Sequence, residues 1–274
     1  MPVRIVQSKH NARVKELRQI LARPLTGGRV GMEGPNLLAE AIRAGLRMEC
    51  VFVAQGAEKL LESLDLPEET EILLTPKALL DSALTTETPQ PIAALLEPPK
   101  WTWADLLRKQ AGPGLVVVLA GLQDPGNLGT ILRSAEAFGA TGVVSLPGTV
   151  SPWNPKAIRA SAGSVLRVPL IAAGEQDCLA RLRAAGFGVF ATAVRDARPV
   201  GELNLREPVA LIIGNEGNGV PGALAAQSDG AVTIPHVGPA ESLNAAVAAS
   251  VLLYEAARQR GANSVSKPAK RRLH

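Results

Sequence analysis

The sequence is poor in cysteine, in aromatic residues and in long apolar runs, and each shortage excludes a class of protein. Its two cysteines, Cys50 and Cys178, lie far apart and outside any CxxC pair. They predict neither a disulfide framework nor a zinc site, and they favour a reducing, cytoplasmic location. No apolar run approaches the roughly 20 residues of a membrane span, and the N-terminal stretch is too polar for a secretory signal. We therefore expect an intracellular protein without a membrane or a metal partner.

The residues that are abundant point to layered helices and strands. Apolar residues make up 46% of the 274 positions and aromatic residues only 3%, which favours a tightly packed α/β core over an aromatic-rich β-sandwich. The net charge of +4 and the isoelectric point near 9.3 are modest. They are still sufficient to indicate an anionic partner.

From residue 115 the sequence alternates between strand-like and helix-like segments. Continuous apolar runs such as LVVVLA and VALII are typical of strands buried on both faces, and so they predict a mostly parallel sheet with helices on both faces. The predicted strands are Leu115–Ala120, Gly142–Leu146, Val165–Leu170, Gly188–Ala193, Pro208–Ile213 and Ala231–Ile234. The predicted helices are Leu128–Phe138, Pro155–Ser164, Gln176–Ala185 and Leu243–Gln259.

The first 100 residues predict a small α/β domain of their own. It contains the strands Cys50–Ala54 and Glu71–Leu74, and an edge strand at Ile92–Leu96. Residues 101–114 predict a linker, in which Trp101 and Trp103 pack at the join. The main domain then spans residues 115–262, and residues 263–274 predict a disordered basic tail.

Basic residues are concentrated in the first 29 positions, against the single acid Glu16. A helix from about Asn11 to Leu21, capped by Ser8, would place Val14, Leu17, Ile20 and Leu21 on one face. Its basic residues fit either a solvated surface or a phosphate-contacting element, and the sequence leaves both interpretations open.

A first polar segment, at residues 119–140, follows a buried strand. It reads LAGLQDPGNLGTILRSAEAFGA and places Asn127 at a predicted helix start, as a cap, with Arg133 away from the buried stripe. Its glycines do not form GxGxxG, and no acidic residue follows about 20 positions later, which disfavours a nicotinamide site. No GK[ST] is present, which disfavours a Walker-type loop.

Two further segments carry polar residues next to predicted strands or helices. Residues 150–170 place Lys156 and Arg159 on one face of a short helix, either as surface charges or as a grip for phosphate or ribose. The segment from Ala210 contains a glycine-rich loop, IGNEGNGVP, and then IPHVGPAESLN, in which Ser242 is the predicted cap of a long helix. Free backbone amides and glycines at such positions favour binding of an organic cofactor.

Taken together, these segments resemble the three ordered motifs of the SpoU (TrmH-like) branch of the SPOUT RNA methyltransferases. The family's NxGxxxR, GxExxG and IPxxGxxxSLN motifs match, in turn, Asn127, Gly129 and Arg133; Gly214, Glu216 and Gly219; and Ile234, Pro235, Gly238, Ser242, Leu243 and Asn244. The segment PWNPKAIRASAG is similar to the ribosomal-RNA members. The stretch from SKHNARVKELRQIL through EGPNLLAEAIRAG looks like their substrate-binding domain. One departure is His236, where many relatives carry Met.

The resemblance implies an enzyme that uses S-adenosylmethionine to methylate a ribose 2′-hydroxyl of RNA, most simply ribosomal RNA of the 23S type. It implies a trefoil knot in the C-terminal domain, a homodimer, and RNA binding by residues 1–100. A transfer-RNA substrate and a non-catalytic RNA-binding or ribosome-assembly protein are the alternatives.

The resemblance also implies roles for individual residues. It places the cofactor between the second and third motifs, with a predicted strand end, Thr192 and Ala193, as a wall. The implied cofactor-binding residues are Thr192, Ala193, Gly214, Asn215, Glu216, Gly219, Ile234 and Leu243. Arg133 has the central catalytic role, and Asn127, Ser242 and Asn244 orient it and the ribose. The residues expected to hold the RNA backbone are Lys9, Arg13, Lys15, Arg18, Lys156 and Arg159.

Overall fold

The computed structural model describes residues 2–25, 28–108 and 112–261, and it contains two sheets. The predicted basic tail at 263–274, together with residue 262, lies outside the described residues. The N-terminal sheet has the order β1-β4-β3-β5-β2. Its strands are β1 (Val3–Ile5), β2 (Val30–Glu33), β3 (Met48–Ala54), β4 (Glu71–Thr75) and β5 (Ile92–Leu96). The helices of this part are α1 (Ala12–Ala22), α2 (Pro35–Arg43), α3 (Lys59–Glu62) and α4 (Lys77–Asp81).

Strand β5 corrects the expectation of an edge strand at Ile92–Leu96. It pairs antiparallel with both β3 and β2, and all five of its residues are buried. The prolines before it predicted a connection, but a strand with only apolar side chains is stabilised most in the middle of a sheet. Strand β2 was not predicted, because its VGME run is short and ends in Glu33. That carboxylate is buried and accepts hydrogen bonds from Thr86 and Gln90.

Helix α1 confirms the predicted apolar face, since Val14, Leu17, Ile20 and Leu21 are its buried residues. The predicted cap was wrong. Asn11, not Ser8, accepts a hydrogen bond from the backbone N–H of Arg13. Asn11 stands directly before the first helical residue, whereas Ser8 lies too early in the chain to reach the free amides of the first turn.

The C-terminal sheet has seven strands in the order β10-β12-β9-β11-β6-β7-β8, and all its pairings are parallel, as predicted. The strands are β6 (Leu115–Ala120), β7 (Gly142–Ser145), β8 (Leu170–Ala172), β9 (Gly188–Thr192), β10 (Arg198–Pro199), β11 (Val209–Gly214) and β12 (Gly230–Thr233). The helices are α5 (Trp103–Leu106), α6 (Pro125–Ala137), α7 (Pro155–Ser161), α8 (Glu175–Ala184), α9 (Gly222–Ala225) and α10 (Ala245–Gln259).

The predicted strand Val165–Leu170 was wrong. Ser164–Leu166 forms a 3₁₀ turn, and β8 begins only at Leu170. The apolar run that predicted a strand is buried as a compact turn in the core. Pro169 has no N–H for a ladder, and its carbonyl accepts the bond from Val143 just before β8 begins.

The segment predicted as a linker is packed against the C-terminal part where the structure describes it. Thr102 and Asp105 form a capping box at the start of α5. Leu106 is fully buried, and the Arg181 guanidinium lies 5.4 Å from the ring centroid of Trp103. One apolar cluster also runs from Val30 in β2 to Val117 in β6. The two sheets therefore share a core.

Helix α6 is fixed by a close contact with α7. A Cβ atom on Gly129 would lie 2.4 Å from the carbonyl oxygen of Ala157 and 2.6 Å from the Cβ of Ala160. Only glycine allows the two helices to approach this closely. The middle residue of the NxGxxxR motif therefore sets the position of the helix that carries Asn127 and Arg133.

Candidate active site

A cavity of about 450 Å³ opens at the carboxyl ends of three neighbouring strands, β9, β11 and β12. Its apolar walls include Ile213 and Leu252, and its rim is polar. All eight residues expected to bind the cofactor line it, namely Thr192, Ala193, Gly214, Asn215, Glu216, Gly219, Ile234 and Leu243. Ser242, predicted to be catalytic, lines it as well. The carboxyl edge of a parallel sheet is where α/β proteins place their ligands.

The loop after β11 owes its shape to Gly214 and Asn215. A Cβ atom on Gly214 would lie 2.1 Å from the carbonyl carbon of Gly219, so no other residue fits without moving the loop. The Asn215 side chain accepts a hydrogen bond from the backbone N–H of Gly217 at 2.8 Å and donates one to the Gly121 carbonyl at 2.9 Å. Asn215 thereby ties the cavity wall to the end of β6.

One hydrogen-bonded chain joins the three motif regions. The Glu216 carboxylate accepts bonds from the backbone N–H groups of Gln123 and Asp124, each at 3.2 Å, and from the Asn127 side chain at 2.9 Å. The Asn127 oxygen in turn accepts a bond from the Asn244 side chain at 3.1 Å. Burial raises the pKa of the Glu216 carboxyl, but these donors outweigh it and the pKa is lowered. Glu216 was expected to bind the cofactor, so its contact with Asn127 is a finding of the structure.

Two predicted helix caps were wrong. Asp124 caps α6, with Pro125 as the first helical residue, and Asn127 lies within the first turn. Asn244 caps α10 by accepting bonds from the N–H groups of Ala246 and Val247, whereas Ser242 is exposed at the cavity. Proline is favoured at the first helical position, which moves the α6 cap to the residue before it. Asn127 is therefore free to bond Glu216 and Asn244.

Arg133 lies two turns further along α6 and is exposed. Within the described ranges 2–25, 28–108 and 112–261, its guanidinium has no hydrogen-bond or ion-pair partner. The next residue, Ser134, shares a 2.7 Å hydrogen bond with Ser250 of α10. The two helices that carry the polar cluster are thus fastened together beside Arg133, whose charge is available to a ligand.

The predicted RNA-contacting cations differ in their surroundings. Arg13 is half-buried and forms ion pairs with Glu16, Glu49 and Glu71. Lys9 and Lys15 are exposed, and Arg18 bonds Ser82. On α7, Lys156 lies 3.3 Å from both carboxylate oxygens of Asp124, and Arg159 is exposed. The structure therefore leaves most of these charges at the surface, but not that of Arg13.

His236 holds the loop that follows β12. Its two ring nitrogens lie 3.0 Å from the Ile234 carbonyl oxygen and 2.9 Å from that of Ala240. These two carbonyls raise the pKa of His236, since an imidazolium can donate to both. The ring also lines the cavity, so the departure from methionine adds a polar contact at this wall.

The described part of the chain contains no group of three or more His, Cys, Asp and Glu side chains that could hold a metal ion. No helix in it is long and apolar enough to cross a membrane.

These features define an α/β protein with a ligand cavity at the carboxyl ends of its parallel strands and a hydrogen-bonded polar cluster at the rim. The chain matches the model of the SpoU rRNA Methylase family over residues 114–254. It also matches the model for RNA 2′-O ribose methyltransferase substrate binding over residues 32–102. The chain belongs to the SpoU rRNA methylase family, and it is an RNA ribose methyltransferase.

Individual relatives agree with this membership. The chain is 35% identical to the 23S rRNA (guanosine(2553)-2′-O)-methyltransferase RlmP of Bacillus subtilis, over 81% of this chain and 86% of that protein. The SpoU methyltransferase AviRb of Streptomyces viridochromogenes, solved in complex with AdoMet, aligns with a TM-score of 0.80 at 29% identity, covering 92% of this chain and 98% of that one. An AdoMet-bound rRNA methyltransferase of Sinorhizobium meliloti aligns equally well, with a TM-score of 0.80 at 29% identity over 93% and 98% of the two chains.

Replacing Glu216 with glutamine should lower methyl transfer by about tenfold. The glutamine NH2 group cannot accept a hydrogen bond, so at least one N–H group that now bonds the carboxylate would lose its partner. The pH dependence has a definite sign. The pKa of Glu216 is lowered in the fold, so its stabilising contribution is complete above the ordinary value and is lost as the pH falls through the lowered one. Initial rates from about pH 7 down to about pH 3 would measure both effects, because this range extends below the ordinary carboxyl value of 4.5.

The matched control is Glu241→Gln, which alters an exposed carboxylate three residues before Asn244. It should retain wild-type rates at every pH. Equal losses in the two variants would show that total charge, not the Glu216 contacts, is responsible.

Proposed function

We propose that this protein methylates a ribose 2′-hydroxyl of ribosomal RNA with S-adenosylmethionine as the methyl donor. The observation that supports this most directly is the meeting of three distant segments at one sheet edge. The chain from Glu216 through Asn127 to Asn244 stands at the rim of the cavity. Methyl transfer to a hydroxyl is an in-line displacement, and it requires both a cofactor slot and a group that holds the nucleophile close by.

The cavity suits the cofactor in size and chemistry. Its volume of about 450 Å³ falls within the range of small-molecule sites. Ile213, Leu243 and Leu252 offer apolar surface for an adenine ring, and the chain around Gly214 brings backbone groups close. The residues proposed to hold it are Thr192, Ala193, Gly214, Asn215, Glu216, Gly219, Ile234 and Leu243. When bound, S-adenosylmethionine supplies a methyl group on a positively charged sulfur.

Catalysis by this chain then depends on charge and position. Arginine stays protonated at any physiological pH, so we assign Arg133 to the substrate phosphate and to stabilisation of the negative charge that develops on the 2′-oxygen. Asn127 and Asn244 are oriented by their mutual hydrogen bond. Together with Ser242 at the cavity, they are proposed to orient the ribose.

The proposed RNA surface combines the two halves of the chain. Lys9, Lys15 and Arg18 of the N-terminal part and Lys156 and Arg159 of α7 are cations that can contact phosphates. Arg13 was assigned the same role, but its three carboxylate partners offset its charge, so we expect it to contribute least. We propose that residues 1–100 bind the RNA and that residues 115–262 carry out methyl transfer. The cations on α7 would then extend the RNA surface into the second part.

Ribosomal RNA is favoured over transfer RNA by the similarity to RlmP, which is named for a 23S rRNA guanosine. Purified protein, labelled S-adenosylmethionine and unmodified 23S rRNA should yield a single alkali-resistant dinucleotide. Transfer RNA from the same cells should remain unlabelled. Labelling of transfer RNA alone would refute the ribosomal substrate, and labelling of neither would refute the activity. The proposed location is the cytoplasm, where ribosomal RNA of this type is available.

We further propose a homodimer and a knotted C-terminal domain, as the family resemblance implies. Helix α10 exposes an apolar face made of Val247, Val251 and Tyr254, which are 49%, 36% and 55% exposed. These residues are spaced so that they share one side of the helix. Tyr254 also contacts Phe138 of the same chain, with ring centroids 5.8 Å apart, so packing within the chain covers part of this face and a second copy would cover the rest.

Val251→Asp should convert the dimer to a monomer, because it places a charge in the middle of the apolar face of α10. Light scattering at micromolar concentration would measure the mass. The control is Glu68→Gln, which alters an exposed residue of the N-terminal part. A wild-type protein that is monomeric in this assay would contradict the proposal directly.

A further inference from the structure

The N-terminal part and the catalytic helix meet at a cluster of charged residues with no role assigned so far. Arg167 follows the 3₁₀ turn after α7 and donates to two carboxylates at once. Its Nε and Nη2 bond Glu136 of α6 at 2.5 and 2.9 Å, and its Nη1 bonds Glu40 of α2 at 2.5 Å. Ser164 adds a 2.6 Å bond to Glu136. We name Glu40, Glu136, Ser164 and Arg167 the junction cluster.

The junction cluster is partly shielded, and its charges are mutually adjusted. Hydrogen bonds from Arg167 lower the pKa of the Glu136 carboxyl, against the opposing effect of burial. Hydrogen bonding and the charge of Glu136 raise the pKa of Arg167. The side chain of Arg167 is 35% exposed and that of Glu40 is 25% exposed. Two carboxylates bind this one guanidinium from two sides, and all three groups are partly shielded from water. Such an arrangement fixes the relative positions of the elements it joins better than a single exposed ion pair does.

The backbone beside the junction cluster favours glycine at one position. Gly163 has a φ of +88°, and a Cβ atom there would lie 2.8 Å from Cγ of Glu40. Ala162, which ends α7, is also left-handed. The chain therefore turns sharply after α7 and leaves room for α2 to lie against it.

The position of the junction cluster relates it to catalysis. Glu136 lies three residues, and so about one turn, after Arg133 on α6. Glu40 belongs to the part of the chain that matches the RNA substrate-binding model. Helix α7, which precedes this turn, carries Lys156 and Arg159. One guanidinium thus connects the RNA-binding part to the helix of the catalytic arginine.

We infer that Arg167 is a positioning residue, which holds the RNA-binding part in register with Arg133 by bridging Glu40 and Glu136. This role rests on the proposed function, since it concerns the same RNA. Arg167 itself contacts neither the cavity lining nor the chain from Glu216 to Asn244 in the described residues. Its loss should therefore affect RNA capture and leave cofactor binding intact.

Arg167→Met tests the inference by separating KM from kcat. The methionine preserves an unbranched chain while removing both bridges. We expect the KM for RNA to rise about tenfold, with kcat at saturating RNA and the Kd for S-adenosylmethionine changed less than about twofold. Glu40→Gln should raise the KM similarly. The double variant should be no worse than either single one, because both changes break the same bridge.

Arg47→Gln is the matched control. Arg47 belongs to the N-terminal part, its side chain is 70% exposed, and it bonds Glu97 at 3.4 Å and no member of the junction cluster. The variant removes one positive charge, as Arg167→Met does, so an equal rise in KM would attribute the effect to charge alone and overturn the inference. An unchanged KM in Arg167→Met, or additive effects in the double variant, would also overturn it. A wild-type protein that methylates no RNA would instead refute the proposed function, and this role with it.

Discussion

Arg133→Ala should reduce methyl transfer by about 10³-fold while S-adenosylmethionine binds with nearly unchanged affinity. The guanidinium is exposed, has no partner in the part of the chain that the structure describes, and stands on the helix that bears Asn127. It does not line the cavity. Since Arg133 is assigned to the RNA and to the charge that develops during the reaction, its loss should lower turnover. Since it lies outside the cofactor cavity, its loss should leave the Kd for S-adenosylmethionine unchanged.

Single-turnover rates with saturating RNA and calorimetric titration of the cofactor would separate the two effects. Arg133→Lys keeps a positive charge but cannot present two parallel donors, so we expect an intermediate rate. Arg181→Ala, on the exposed side of α8, should behave as wild type. Unimpaired turnover in Arg133→Ala would disprove the role assigned to this residue.

Gly214→Ala should weaken cofactor binding by about a hundredfold, because relieving a backbone overlap of this kind costs about 3 kcal/mol. The added methyl group would lie 2.1 Å from the carbonyl carbon of Gly219 and 2.2 Å from the nitrogen of Val220. These are backbone atoms, so no side-chain rotation removes the overlap. The loop that forms one wall of the cavity must move.

Gly222→Ala provides the comparison. An added Cβ atom at Gly222 meets nothing within 4 Å, and the residue begins helix α9 just after the loop. Its Kd should equal that of the wild type. Thermal unfolding of both variants would show whether Gly214→Ala still folds. A folded Gly214→Ala protein that binds S-adenosylmethionine normally would show that this wall does not form part of the site.

The sequence predicted the parallel sheet well because a buried strand is recognised from a few consecutive apolar residues. An all-apolar run such as Leu115–Ala120 has few environments other than the interior of a covered sheet, and the structure confirms it. Val165–Leu170 is equally long, but it contains Arg167 and Pro169, and Pro169 decided the outcome because it has no N–H for a ladder. Ile92–Leu96 was placed correctly along the chain but not within the sheet. Strand neighbours depend on residues far away in sequence.

The S-adenosylmethionine site was predicted from the family motifs. Without them, the residue types predicted only a loop that binds some organic cofactor. Residue types could indicate glycine-dependent loops and capping side chains at Gly214, Ser242 and Asn244. They could not indicate that Glu216 would reach Asn127, since that bond joins residues 89 positions apart. For the same reason the bridge from Arg167 to Glu40 across 127 positions had no signal in one sequence. The ion pairs of Arg13 with Glu49 of β3 and Glu71 of β4 had no signal in the sequence either, because those carboxylates come from strands far from α1 along the chain.

The hydrogen-bonded chain from Glu216 through Asn127 to Asn244 has a consequence for the moment at which the enzyme becomes active. Its last member, Asn244, caps α10, so the cluster cannot form before the chain has been made beyond residue 244. Parallel strands joined across long intervals also fold late, after the entropy of closing large loops has been overcome. A chain made only as far as β12 therefore has the N-terminal cations but not the hydrogen-bonded cluster. Any activity that depends on this cluster is acquired only after α10 has packed against α6.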